Sequence, residues 1–279
     1  MTKAVFIIGN KRSGSTQLMH LLNLHPHIFI SNESDILWIL YRFHHDLDIV
    51  PYQWDTPVGI NRTLEKHKDL LSKDKTPFEN FVTIQKAFME TGIGKIEPVH
   101  KENLLWIGDQ KPFQQIDPEI VPFIKENFPD AKFIHLIRHP FPVVRSSEVF
   151  IGELWKGMSA DEILQRWTLH ESWVQLEKYK HEVPILDVKY EDIISHTQRE
   201  MVRMFDFLGV EYDQTILLAA RKSTRSTIRL HPRLPCSPET EAIMSQYGYK
   251  TKSFWLEKPL YINTFNWLKK MKRKLTKTW

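Results

Sequence analysis

The stretch VFIIGNKRSGSTQLM, residues 5–19, has the order strand, glycine loop, helix. Gly9 and Gly14 stand at the G-x-x-x-x-G spacing of a phosphate-binding loop, and Ser15 and Thr16 follow directly. A nucleoside-triphosphate loop continues Gly-Lys-Ser/Thr, with the lysine reaching the outer phosphates. Here Ser15 holds the lysine's place, and the positive charge comes earlier, at Lys11 and Arg12. Backbone N–H groups at a helix start, with hydroxyls beside them, can wrap one phosphate group. The predicted cradle is therefore Lys11, Arg12, Ser13, Gly14, Ser15 and Thr16.

The missing lysine narrows the ligand. In a triphosphatase that lysine and a Mg²⁺ ion neutralise the β- and γ-phosphates. A ligand with a single 5′-phosphate carrying a less charged transferable group needs neither, which points to a 5′-phosphosulfate.

Outward from the loop, KAVFIIG (3–9) is a continuous apolar run, as in a parallel strand buried on both faces. Leu18, Leu21 and Leu22 give the following segment an amphipathic helical stripe. KFIHLI (132–137) reads as a second strand, and Pro140 just after it can begin a helix. VPILDV (183–188) is a third strand running into KYEDII. Residues 159–180 and 197–209 read as helices, the latter capped by Ser195 or Thr197. Strands alternating with helices predict one α/β domain, over residues 1–260, with a central parallel sheet and a ligand site beyond the strand C-termini. The polar stretch 47–100, punctuated by Pro51, Pro57 and Pro77, predicts short helices and loops covering the site.

With these residues in view, GNKRSGSTQLMHLLNLHP resembles the 5′-phosphosulfate loop of sulfotransferases that use 3′-phosphoadenosine 5′-phosphosulfate (PAPS). That resemblance implies a P-loop NTPase-like fold, PAPS as co-substrate, adenosine 3′,5′-bisphosphate as product and no metal requirement. The family pairs an arginine at a strand end with a serine eight residues later, both holding the 3′-phosphate. Arg138 and Ser146 stand at that spacing, about 120 residues beyond the loop. VKYEDII, the helix ending FLG at Gly209, and SQYGYK near 247 resemble later family elements. The style of the motifs is similar to the tyrosylprotein and heparan-type branch, whose catalytic glutamate follows the loop helix; Glu33 occupies that place. The residue-level alternative for Glu33 is a cap on the helix that begins near Asp35. Asp35 and then His100 are the next candidates for the base. The family also places a lysine near the sulfuryl group in a G-D-K-T-P segment; GDQKPF puts Lys111 one position late, leaving that role to Lys111 or Lys11. His139 departs from the family's Asp or Asn after the arginine. In the basic run 221–234, Arg229 is a candidate for closing over the 3′-phosphate.

The whole chain of 279 residues carries a formal charge of +4, but residues 261–279 hold six Lys/Arg and no Asp/Glu, leaving the body near −2. The tail reads as a basic helix whose narrow apolar stripe packs on the domain in preference to lying on a membrane. No nucleic-acid partner is implied. A single cysteine, Cys236, excludes an intrachain disulfide and a cysteine-based zinc site. Thirteen scattered histidines suggest no metal centre. The chain enters its first strand without the features of a secretion signal, so a cytoplasmic enzyme is expected. Its expected acceptor is a hydroxyl or amine of a small molecule, a natural product or metabolite. The competing readings are a P-loop kinase of a nucleotide or metabolite, and a non-catalytic nucleotide-binding module. The oligomeric state is not legible.

Overall fold

The computed structural model describes residues 2–53, 55–148, 158–181, 183–224 and 234–249. Arg229, Lys250 and the basic tail at 261–279 lie outside the described residues.

The apolar run 3–9 forms β1 (Lys3–Gly9), and its residues divide between two cores. Ala4, Phe6 and Ile8 face one hydrophobic cluster, while Val5 and Ile7 face another. A period of two with both faces apolar is what a central parallel strand requires. Around it stand β2 (Ile28–Asn32), β3 (Trp106–Gln110), β4 (Lys132–Ile137) and β5 (Ile185–Lys189). All pairings are parallel and the order is β2-β3-β1-β4-β5, a five-stranded sheet. The fold is therefore α/β, P-loop-like, with helices on both faces.

On the first face pack α2 (Ile36–His44), α4 (Pro77–Thr91) and α5 (Ile120–Asn127), through a cluster of phenylalanines that includes Phe6, Phe81, Phe128 and Phe133. On the second lie α1 (Ser15–Leu22), α8 (Tyr190–Ser195), α9 (Thr197–Leu208) and α10 (Gln214–Ser223). A third cluster joins α6 (Pro140–Glu148), α7 (Ala160–His181) and α11 (Pro238–Gln246) beside the end of β4. Between α2 and α4 runs α3 (Val58–His67). The stretch 47–100, expected to hold short helices and loops, contains α3 and also the longer α4 of fifteen residues, which opens with a Thr76–Glu79 capping box. No helix among the described residues is long and apolar enough to cross a membrane.

Two strands, β2 and β3, were not legible in the sequence. Each has five residues and ends in polar ones, Ser31-Asn32 and Asp109-Gln110, which the fold nevertheless buries. The cap of α9 is also neither Ser195 nor Thr197. Position His196 holds it, without a side-chain bond, because Ser195 and Thr197 donate back to the carbonyls of Glu191 and Ile193.

Gly108 sits opposite Val5, where β3 packs on β1, and a Cβ there would lie 1.9 Å from the Val5 carbonyl oxygen. Gly108→Ala must push the two strands apart or break their register. We expect it to lower the unfolding free energy by about 2 kcal/mol or more, read as a reduced urea midpoint at unchanged slope.

Candidate active site

Parallel strands deliver their C-terminal ends to one edge, and the site is built from the residues that follow them. Glu33 follows β2, Lys111 follows β3, Arg138 follows β4 and Tyr190 follows β5. Those four side chains join Lys11, Arg12, Gly14, Ser15 and Thr16 around a single cavity of about 920 Å³.

The loop after β1 is held by glycine at both ends. Gly9 has φ +134°, and a Cβ there would meet the Leu136 carbonyl oxygen at 2.5 Å. Gly14 has φ +98°, and its Cβ would lie 2.4 Å from the Tyr190 ring. A side chain is excluded at Gly14 by conformation and by space together. Between them, Asn10 anchors the loop in the protein interior. Its amide donates to Glu171 Oε1 at 2.7 Å and to the Trp167 carbonyl, and His170 Nδ1 lies 2.9 Å from Asn10 Oδ1. Burial, with Lys11 adding to it, pushes His170 down to about 3, so its imidazole is neutral and donates from Nδ1. Glu171 reaches in turn to His135, which is fully buried and also bonded to Asp187. Burial alone would lower His135, but the two carboxylates outweigh it and raise its pKa.

Ser13 differs from the expectation. It is 1% exposed and does not line the cavity, and its N–H donates to the Asn10 carbonyl. Its place is inside the turn. Ser15, in the triphosphatase lysine's position, accepts from Gln110 Nε2 at 2.7 Å, which leaves its own proton for a ligand.

Arg138 and Ser146, paired by spacing in the sequence, line the same cavity, and Arg12 of the loop joins them. Arg138 donates to the Arg12 carbonyl at 2.8 Å and lies 4.4 Å from the Tyr190 ring centre, while Arg12 Nε donates to Ser146 Oγ at 3.2 Å. Burial first, then the Arg138 charge, lowers the Arg12 pKa. Two guanidiniums on the wall of one cavity make an arrangement that can hold an anion.

His139 now has a reason. Its Nδ1 accepts from the Phe141 N–H at the start of α6, the capping service that an aspartate or asparagine gives elsewhere. Its own N–H donates to Glu191 Oε1, and the Tyr249 hydroxyl donates to Glu191 Oε2. Glu191 of the YED segment thereby ties α8, the start of α6 and the GY element into one support beneath Arg138.

On the other side of the loop, Lys11 and Lys111 share the carboxylate of Asp55, with Lys11 Nζ 3.3 Å from Oδ1. Lys111 is paired with Asp35 as well, at 2.9 Å. Burial would lower Lys111, but Asp35 and Asp55 hold its ammonium above the ordinary lysine range. Burial lowers Lys11 despite Asp55, and its ammonium rests 4.3 Å from the centre of the Phe113 ring. Burial opposes the charge on Asp55 too, yet the two lysines keep its pKa below the usual carboxylate value.

This network decides the place of the other base candidates. Asp35 is 1% exposed, bonded to Lys111 and Gln114, and packed against the backbone of Gly59. It is a buried counter-ion and does not line the cavity. His100 is exposed, paired with Glu102 and away from the cavity. Glu33 is exposed to the cavity at φ +49° and does not cap α2: Asp35 holds the cap position, and the Ile36 N–H is taken by Ser34 Oγ. Asp109, the strand-end acid that a kinase's Mg²⁺ site would need, is fully buried on Ser31, Ser34 and Gln115, and burial pushes it up to about 6. It faces away from the cavity.

Sequence reasoning missed Asp55, Gln110 and Tyr190 as site residues, along with Thr56, Val58 and Lys95 of the 47–100 stretch, all of which line the cavity. The signal available for Tyr190 was its place in the VKYEDII segment, directly after a predicted strand. Among the described residues no cluster of His, Cys, Asp and Glu could hold a metal ion.

The glycine loop, the paired arginines and the strand-end residues line one cavity at the strand C-termini of a P-loop-like α/β fold. The profile of the sulfotransferase family matches residues 4–214, and the chain belongs to that family. Two solved structures share its fold. The sulfotransferase domain from the curacin biosynthetic pathway superposes with a TM-score of 0.55 at 17% identity, over 90% of this chain and 99% of that one. The sulfotransferase domain of the Synechococcus PCC 7002 olefin synthase gives 0.56 at 21% identity, over 90% and 95%. No curated protein matches the chain by sequence.

Lys111→Met strands the buried Asp35 carboxylate. The expected cost is roughly 3–5 kcal/mol of stability, measured by urea denaturation. Adding Asp35→Asn to that variant should recover more than half of the loss.

Proposed function

We propose that this protein moves a sulfuryl group from PAPS to a hydroxyl or amine of a small-molecule acceptor, a natural product or metabolite, in the cytoplasm. The observation that carries the reading is the meeting, in one cavity, of a phosphate loop lacking the triphosphate lysine, an Arg138–Arg12–Ser146 anion corner and an open carboxylate at Glu33. The donor set fits a nucleotide with one phosphate at each end of its ribose. The loop N–H groups, Ser15 and Thr16 take the 5′-phosphate, and Arg138 with Ser146 takes the 3′-phosphate.

Transfer forms one bond from the acceptor oxygen or nitrogen to sulfur and breaks the bond from sulfur to the 5′-phosphate oxygen. Glu33 takes the acceptor's proton. Lys11 and Arg12 meet the negative charge that gathers on the leaving phosphate, with Lys111 held close behind by its two carboxylates. Side chains supply this positive charge, so the reaction is expected to need no metal. Thr56, Val58 and Phe113 line the same cavity and are the side chains this reading assigns to the acceptor.

Adenosine 3′,5′-bisphosphate is expected to raise the melting temperature in the presence of a chelator, by about 2.7 kcal/mol of apparent stability at 100 times its dissociation constant. Stabilisation by Mg²⁺–ATP in its place would overturn the reading. Arg138→Ala should weaken this ligand by roughly 1.5–3 kcal/mol while leaving adenosine 5′-phosphosulfate nearly unaffected, as isothermal titration would record.

Glu33→Gln is expected to keep nucleotide affinity and lose about 10²–10⁴-fold in turnover. The assay is release of the bisphosphate with an acceptor found by screening hydroxylated and amine-bearing metabolites.

A further inference from the structure

Asp55 stands apart from the groups assigned above. It comes from the loop ahead of α3 and not from a strand end, and it is an anion inside a cavity built for anions. Its side chain is 11% exposed. Oδ1 accepts from the Thr56 N–H at 2.9 Å and lies 3.3 Å from Lys11 Nζ, while Oδ2 pairs with Lys111. Lys111 has a second carboxylate, Asp35, at 2.9 Å and so keeps a counter-ion without Asp55. Lys11 belongs to the phosphate loop itself, between Gly9 and Gly14. An ammonium there has two claimants: the carboxylate of Asp55 and the phosphate that the loop cradles.

We infer that Asp55 is a built-in stand-in for the ligand's 5′-phosphate, holding Lys11 while the loop is empty and releasing it when the nucleotide binds. The inference rests on the sulfotransferase reading of the cavity. Its physical basis is competition for one half-buried cation. An ammonium largely withdrawn from water and without an anion is costly, so a resident carboxylate keeps Lys11 charged and aimed at the loop. The same contact subtracts from nucleotide affinity, because it must be given up. Asp55 is then a positioning residue for Lys11. Once Lys11 turns to the phosphate, Asp55 stays on Lys111, beside Thr56 and Val58 of the same cavity.

The test is isothermal titration of adenosine 3′,5′-bisphosphate and of adenosine 3′-monophosphate into four proteins: wild type, Asp55→Asn, Lys11→Met and the double variant. Asp55→Asn is expected to bind the bisphosphate roughly tenfold more tightly and to bind the 3′-monophosphate, which has no 5′-phosphate, as wild type does. In the Lys11→Met background the gain should vanish. Unchanged or weaker bisphosphate binding by Asp55→Asn overturns the inference. So does a gain that survives Lys11→Met, since Asp55 would then repel the anion directly without restraining the lysine. An equal gain for both nucleotides also counts against it, as a general loosening of the cavity. Asp55→Ser removes the same carboxylate and replaces the asparagine variant if that chain does not fold. A wild-type protein that binds neither nucleotide defeats the sulfotransferase reading itself, whereas the variant outcomes bear on Asp55 alone.

Discussion

The hydrogen-bonded alignment of five parallel strands is the constraint on which the site depends. Parallel pairing fixes which residues stand side by side: Asn32 with Gln110, Gly9 with Leu136, and Ile137 with Lys189. These pairs lie at the ends of their strands, so the chain leaves the sheet at one edge in every case. Glu33, Lys111, Arg138 and Tyr190 are separated by long stretches of sequence, yet each comes one residue after such an end. Their proximity is a property of register. A slip of one residue in any strand would turn its site residue to the opposite face.

The phosphate loop illustrates how far support reaches. Its shape requires Gly9 and Gly14, but its position is set by Asn10, whose side chain is bonded to Glu171 and His170 on α7. Glu171 is itself held against His135, a buried residue of β4. The helix that carries the third core cluster therefore also fastens the loop. Opposite it, Glu191 performs the same service for Arg138 by bonding the His139 backbone and Tyr249. Such buried polar networks tolerate little loss, because a group deprived of its partner pays its full desolvation cost.

Charge in the cavity is arranged in two adjoining regions. In one, Arg12 and Arg138 are near enough for the Arg138 charge to help lower the Arg12 pKa. In the other, Lys11 and Lys111 are already matched by Asp55 and Asp35. Glu33 lies in the cavity with both regions, close enough to Lys11 and Arg12 to oppose the lowering of their pKa values.

The sequence alone determined what local chemistry dictates. The glycine spacing with a serine in the lysine's place named the kind of loop, the apolar run at 3–9 named a central strand, and Arg138 with Ser146 followed from spacing and family resemblance. Each of these signals lies within a few residues of chain. The tertiary structure decided the rest. β2 and β3 were hidden because their polar ends, buried by the fold, break the apolar pattern of a strand. Asp35 and Glu33, two residues apart and alike in chemistry, were told apart only when one was seen buried on Lys111 and the other open to the cavity. The capping role of His139, the packing of Tyr190 on Gly14 and the bridge from Asp55 to both lysines all join segments far apart in the chain. Contacts of that kind are fixed by how the strands are ordered in the sheet, and strand order is not written in any single stretch of sequence.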